Sequence, residues 1–265
     1  MSYGTMRNPK YHYSAERVTV ERDTSALLGV RGAFDMLRHV HIPITDSFQC
    51  LEIHRRWYEL VGHYSARKLT MKTDKMMAIA GLGFTIHRST GMRFLAGLWE
   101  EVLPFNLLWV STGECEPRPV RDVPSWSWAS VDRIINEMLY ETSIAEIKSL
   151  KVFIDIVSIE SLLEHNSLVH NAKLRVSGHI TLLDESRICF IPDIILEDSD
   201  AEYVHVPILS FTNQLGSLEV HGVVLREKDG AESSFERVGY FWTRDQLTTK
   251  TILDLTKRKT TFSFI

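Results

Sequence analysis

A chain of 265 residues, 44% of them hydrophobic and 10% aromatic, can bury a sizeable core as one large domain or two closely packed ones. Its 30 basic and 34 acidic residues give a formal net charge of -4, so it lacks the basic excess of a dedicated nucleic-acid-binding protein. The sequence predicts neither a secretory leader nor a membrane span. Three widely spaced cysteines, Cys50, Cys115 and Cys189, predict free thiols and a cytoplasmic protein.

Apolar residues at helical spacing dominate the first hundred positions and predict four helices. The second helix begins after a capping side chain, Asp46 or Ser47. The third is expected to be short, because Gly81 follows it as a stop signal. The helices are expected at residues 25–39, from about 47 to 64, at 75–80 and at 92–103. A buried strand is expected next, at residues 106–110.

Residues 123–132, Val-Pro-Ser-Trp-Ser-Trp-Ala-Ser-Val-Asp, form the most unusual stretch of the chain. If this stretch is a strand, Trp126 and Trp128 lie on the same face, because strand side chains alternate. Paired indoles then have two possible roles. They could clamp the helices that carry Trp57 and Trp99 onto the sheet, or they could line a ligand site. The first role is the more common one for buried aromatic residues.

The remaining half of the chain is rich in β-branched and aromatic residues and predicts an antiparallel sheet. Strands are expected at residues 151–159, 173–183, 203–211, 217–226, 235–242 and 260–265, with a helix at 244–255. The predicted fold class is α+β, with N-terminal helices packed on a C-terminal antiparallel β-barrel or β-sandwich. Residues 1–122 would form a helical part with an N-terminal arm, and residues 123–265 a β part closely packed on it as one unit.

Seven segments of the chain together resemble the region that follows the signature domain of fungal heterokaryon incompatibility (HET) proteins. They are residues 64–70, 74–82, 96–99, 107–109, 124–132, 222–225 and 236–241. The resemblance covers about residues 55–242, and the tryptophan motif at 124–132 is its most specific part. The HET domain itself, which carries the link to incompatibility and cell death in that family, is expected to be absent, because too few residues precede position 64 in this sequence. Arg133 stands where the family commonly has glycine.

The resemblance implies a stand-alone HET-like C-terminal module that acts as an interaction or regulatory protein, with a HET-containing protein as a possible partner. It transfers no catalytic residues. Nucleophile elbows, phosphate-binding loops and glycine-rich dinucleotide motifs are absent from the sequence. His39 and His41 have a spacing that metal ligands sometimes use, but no third ligand follows at a convincing offset. The sequence therefore predicts no metal, no cofactor and no nucleic-acid partner.

An alternative hypothesis is a cofactor-independent cyclase or isomerase of fungal secondary metabolism. His205 lies between two valines in a predicted strand and could act as an acid or base if that face lines a barrel interior. Aromatic residues would form the wall around an apolar small molecule, and holding a flexible substrate in a reactive shape lowers the barrier of a cyclisation. The candidate wall consists of Trp99, Trp109, Trp128, Tyr203 and Trp242.

Overall fold

The computed structural model describes residues 24–44, 46–67, 74–118, 123–137, 147–160, 172–196, 202–228, 233–254 and 259–265. Within these ranges the helices are α1 (Thr24–Leu37), α2 (Ser47–Ser65), α3 (Asp74–Thr90), α4 (Leu103–Asn106) and α5 (Gln246–Asp254). The strands of the first half are β1 (Phe94–Leu95), β2 (Leu98–Trp99), β3 (Trp109–Thr112) and β4 (Ile134–Glu137). Those of the second half are β5 (Lys148–Val152), β6 (Asp155–Glu160), β7 (Lys173–Gly178), β8 (Cys189–Pro192), β9 (Tyr203–Thr212), β10 (Leu218–Glu227), β11 (Ser234–Thr243) and β12 (Thr260–Phe264).

The first two helices are confirmed, and the third is longer than the sequence predicted. Asp46 caps α2, since its side chain accepts a hydrogen bond from the Phe48 amide at 3.1 Å. The expected stop at Gly81 is wrong, because α3 continues to Thr90. A single glycine lowers helix stability without ending a helix. Gly83 also has a packing role, since a Cβ there would lie 2.8 Å from the Phe94 ring.

The predicted fourth helix at residues 92–103 is wrong. The chain forms the hairpin of β1 and β2 there, followed by a 3-10 turn and the single-turn helix α4. Ala96 and Gly97 form the hairpin turn with φ values of 47° and 86°, a left-handed conformation that a helix cannot contain. Pro104 lies in the first turn of α4, where its missing amide proton is tolerated.

An eight-stranded sheet forms the second half, in the order β5-β9-β10-β11-β12-β7-β6, with β8 pairing to β11. The predicted strands therefore exist, except that the run at residues 151–159 is divided between β5 and β6 at Phe153 and Ile154. The sheet is antiparallel apart from β12, which pairs with β11 in parallel. The pairings of the described strands do not by themselves close the sheet, since β5 and β6 end the strand order, and the α+β class is confirmed at that level.

The helical and strand-rich parts share one core. A two-stranded sheet joins β3 to β4, so backbone pairing crosses the boundary predicted after residue 122. The largest cluster of buried apolar side chains extends from Ala33 in α1 to Phe264 in β12. Among the described residues, no helix combines the length and the apolar character needed to cross a membrane.

Candidate functional site

The tryptophan motif is not the strand that the sequence predicted. Residues 125–127 form a turn, and Trp128–Ser130 form a 3-10 helix. Ser127 caps this helix, since its hydroxyl accepts a hydrogen bond from the Ala129 amide at 3.1 Å. Ser125 bonds the C-terminal strand instead, because its amide donates to the Ile265 carbonyl at 3.0 Å. The small hydroxyl residues thus bond to backbone groups, which favours a turn over a ladder.

A single backbone carbonyl, that of Gly97, accepts hydrogen bonds from two indoles. Trp57 Nε1 donates to it at 2.9 Å and Trp128 Nε1 at 2.8 Å. A Cβ at Gly97 would lie 2.7 Å from Trp128 Nε1, so only glycine suits both this contact and the φ of 86°. Trp109 Nε1 in turn donates to the Trp126 carbonyl at 3.0 Å. The indoles are therefore held by the backbone as well as by packing.

The structure places three of the five predicted wall residues in the core. Trp99, Trp109 and Trp128 are 0% exposed, whereas Tyr203 and Trp242 are partly exposed. His205 pairs across the strands with Val224, and Trp242 pairs with His221. Val224 and His221 lie on opposite faces of β10, so His205 and Trp242 do not share one face.

The predicted acid or base, His205, is 3% exposed and lies edge-to-face with Phe241 at 5.3 Å. Its Nδ1 accepts a hydrogen bond from the Leu183 amide at 3.4 Å. Burial lowers the pKa of His205 to about 4, so the ring is neutral at pH 7. A second buried histidine, His54, packs against Tyr58 at 4.8 Å, and burial lowers the pKa of His54 to about 3.

Arg237 forms a buried ion pair with Asp193 and also bonds to backbone carbonyls of the first half of the chain, and no sequence pattern pointed to it. Both side chains are 0% exposed, and Arg237 Nε lies 2.8 Å from Asp193 Oδ2. The guanidinium also donates to the Leu107 carbonyl at 2.5 Å and the Trp109 carbonyl at 2.6 Å. It stacks 3.5 Å from the centre of the Trp109 ring. The hydrogen-bond donors and the flat face of the Arg237 guanidinium are thus engaged by other parts of the protein. Such full engagement is typical of an arginine that stabilises the fold.

Arg133, which directly follows the tryptophan motif, also has a structural position. Its guanidinium donates to Ser111 Oγ at 2.7 Å, the Pro192 carbonyl at 2.6 Å and the Gly113 carbonyl at 2.5 Å. It therefore connects the end of β3 to the end of β8. Because these acceptors belong to the protein, the Arg133 side chain is engaged in holding the fold rather than exposed to a ligand.

A chain of polar side chains runs along one face of β10 and β11. Glu219 Oε2 lies 3.4 Å from His221 Nε2, and His221 Nδ1 lies 2.5 Å from the Tyr240 hydroxyl. In the tautomer whose Nε2–H points to the carboxylate, Nδ1 accepts a hydrogen bond from the Tyr240 hydroxyl. Burial would raise the pKa of Glu219, but hydrogen bonds from His221, Asn213 and Arg244 outweigh it and lower that pKa to about 2. The arrangement places the His221 ring between a carboxylate and a phenol, although His221 is only 3% and Tyr240 only 2% exposed.

A surface groove of about 320 Å³ lies between α1 and α3 and differs from all these interior features. Its lining combines two arginines, two hydroxyl residues and an aromatic ring: Arg38, Arg88, Thr85, Ser89 and Phe84. Phe84 is 55% exposed, which is unusual for so large an apolar side chain. Arg38 lies over the Phe34 ring at 5.5 Å and Arg88 over the Phe84 ring at 5.9 Å. We call these five lining residues the α1–α3 groove.

Metal ligation finds no support in the part of the chain that is described. No group of three or more His, Cys, Asp or Glu side chains there could hold an ion. His39 is exposed, and its Nδ1 lies 2.6 Å from the Asp35 carbonyl. His39 therefore lies in the turn after α1 and His41 in the loop that follows. The two residues do not belong to a strand, in which both rings would point to the same face.

Comparisons with known proteins give no information on the function of this chain. No family model, no curated protein and no solved structure matches this chain. The HET-like character of residues 55–242 therefore stays a prediction from the sequence. Sequence reasoning missed the α1–α3 groove, because Phe84 and Arg88 lie beyond the predicted end of the third helix at residue 80 and because 50 residues separate Arg38 from Arg88.

Proposed function

We propose that this chain is a non-catalytic interaction or regulatory module, a HET-like C-terminal region that acts on a partner protein, with a HET-containing protein as the first candidate. The observation that carries the proposal is the α1–α3 groove, where exposed Phe84 adjoins Arg38 and Arg88. Exposed aromatic rings beside arginines are typical of protein-binding surfaces, in which these residue types supply most of the binding energy.

The core supports this role by giving the groove a stable base. Gly83 of α3 packs against the Phe94 ring, and Phe94 lies 4.9 Å from the Trp99 ring. Trp99 in turn lies edge-to-face with Trp57 at 5.3 Å. The groove therefore rests on a packed aromatic cluster, and a preorganised surface binds with a smaller entropy loss than a flexible one.

Site-specific photocrosslinking tests the proposal. A benzophenone amino acid is introduced at position 84 and, as a control, at Leu215, which is 85% exposed in the turn between β9 and β10. In the native cells, position 84 should yield a discrete adduct with one partner protein, and position 215 should not. The same adduct pattern from both positions, or none from position 84, contradicts the proposal.

A second candidate function is the cofactor-independent cyclase or isomerase acting on an apolar small molecule. The Glu219–His221–Tyr240 chain favours it, because a carboxylate-held histidine bonded to a phenol is an arrangement that acid–base enzymes use. His205 remains a second candidate base. Metabolite profiles of a deletion strain complemented with wild type, His221→Phe or His205→Phe test this function. A metabolite restored by wild type and lost with His221→Phe supports catalysis, and identical profiles for all strains exclude it.

We also propose that the sheet curls into a barrel. Two residues, Phe153 and Ile154, separate β5 from β6, the two ends of the strand order. Thr181, which follows β7, exchanges backbone hydrogen bonds with His205 of β9 at 2.9 and 2.8 Å. A closed barrel would protect both amides as strongly as those of central strands. Hydrogen exchange at Thr181 and His205 as fast as at the chain ends would contradict closure.

A further inference from the structure

We infer that the occupant of the α1–α3 groove is an acidic linear segment of the partner protein that also carries an aromatic or aliphatic side chain. The inference rests on the proposed function and names the chemistry of the partner. It follows from the charge of the groove, from the absence of ion pairs to its two arginines among the described residues and from the apolar residues beside it.

Both charged residues that line the groove are arginines. Among the described residues neither Arg38 nor Arg88 forms an ion pair, and each guanidinium is positioned over a phenylalanine ring instead. The N–H groups of a guanidinium that forms no ion pair match the two oxygens of a carboxylate. The whole chain has a net charge of -4, so an acidic segment is attracted to this local basic site rather than to the surface in general.

The groove also offers an apolar contact. Phe84 is 55% exposed, and Ile42, 42% exposed, lies beside Gly91 just beyond the end of α3. A volume of about 320 Å³ is near the lower limit for small-molecule pockets, which enclose most of their ligand. An open groove of this size accommodates a few side chains of an extended or helical segment, with one apolar residue on Phe84 and flanking carboxylates on the arginines.

The arginines also lie near helix ends, since Arg38 follows α1 and Arg88 is in the last turn of α3. Cations at helix C-termini interact favourably with the helix dipole, which gives both residues a stabilising role without any ligand. This role does not account for the exposure of Phe84. Thermal unfolding of each variant separates the two effects, because a loss of binding at an unchanged melting temperature reports on the groove alone.

Fluorescence anisotropy with a defined probe tests the inference. The probe is a fluorescein-labelled peptide of about twelve residues, in which Asp and Glu flank a central Phe-Leu pair. The double variant Arg38→Glu/Arg88→Glu should weaken binding at least about tenfold, and Phe84→Ala should weaken it to a similar extent. The matched control, Lys148→Glu/Lys173→Glu, makes the same change in net charge at exposed positions of the sheet and should stay within about twofold of wild type.

Salt and vesicle measurements complete the test. Raising NaCl from about 50 to about 300 mM should weaken peptide binding several-fold, since exposed ion pairs are screened. The inference is overturned if the peptide does not bind, if the two double variants bind it equally, or if wild type binds phosphatidylserine vesicles but not the peptide. A crosslink at position 84 to a partner without an acidic segment would overturn the inference while the proposed interaction function stands.

Discussion

Replacing Arg237 with methionine removes the guanidinium at the junction of the two halves and should destabilise the fold severely. Asp193 would be left buried without its partner, and losing one member of such a pair costs about 3–5 kcal/mol. The Leu107 and Trp109 carbonyls would also lose donors, at about 1 kcal/mol each. Methionine regains part of the packing on Trp109, so we expect a loss of about 5 kcal/mol in the free energy of unfolding.

A double-mutant cycle shows whether the loss comes from the pair. The variant Arg237→Met/Asp193→Asn leaves no buried unpaired charge, so its loss should be smaller than the combined losses of the single variants by about 2–3 kcal/mol. Urea unfolding followed by the fluorescence of the six tryptophans measures each free energy. The control is Arg93→Met, which breaks a surface pair with Glu100 at 2.7 Å and should cost less than about 1 kcal/mol. Additive losses in the cycle, or a loss below about 1 kcal/mol for Arg237→Met, would refute the reasoning.

Three further changes test the tryptophan core and the buried His54. Trp128→Ala should lower the free energy of unfolding by about 3–5 kcal/mol, as for fully buried aromatic residues, and an unchanged melting temperature would contradict its role as a clamp. Gly97→Ala should cost about 2–3 kcal/mol, because the φ of 86° and the contact with Trp128 both exclude a Cβ; a loss within about 0.5 kcal/mol in urea unfolding would exclude that explanation. The pKa of His54 falls from 6.5 in the unfolded chain to about 3 in the fold, so the unfolded state binds a proton that the native state does not, and stability falls as pH decreases from about 6.5 towards 3. Urea titrations between about pH 4.5 and 6 should show a slope lower by up to about 1.4 kcal/mol per pH unit in His54→Gln, and an unchanged slope would mean that His54 is not held neutral.

Local signals predicted much of the fold. The cap at Asp46 and the apolar spacing behind it identified α2, and the enrichment in β-branched and aromatic residues identified β9, β10 and β11. The wrong helix predictions concern glycines, which can end a helix, lie within one or form a turn. Gly81 was interpreted as a helix stop, yet α3 passes through it. Gly97 belongs to a turn that interrupts an apparently helical pattern, because its carbonyl and its missing Cβ serve the two indoles.

The candidate sites depended on contacts that no local pattern contains. Three of the predicted wall residues are fully buried in the core: Trp99, Trp109 and Trp128. The sequence could not show this, because aromatic residues line cores and pockets alike. Burial also lowers the pKa of a histidine and thereby sets its charge. The sequence contains no pattern that distinguishes His221 from His205 as a candidate base. Only the pairing of β10 with β11 brings the Tyr240 hydroxyl to the His221 ring.

The sequence by itself determined the α+β class, the order of most elements and the burial of the tryptophan motif, because side-chain period and apolar character act within a few residues. The tertiary structure alone decided that the motif is a turn, that Arg237 pairs with Asp193 across 44 residues, and that Arg38 and Arg88 meet at one groove. The physical reason is that these contacts join segments distant in sequence, and their energies depend on burial and on distance in space.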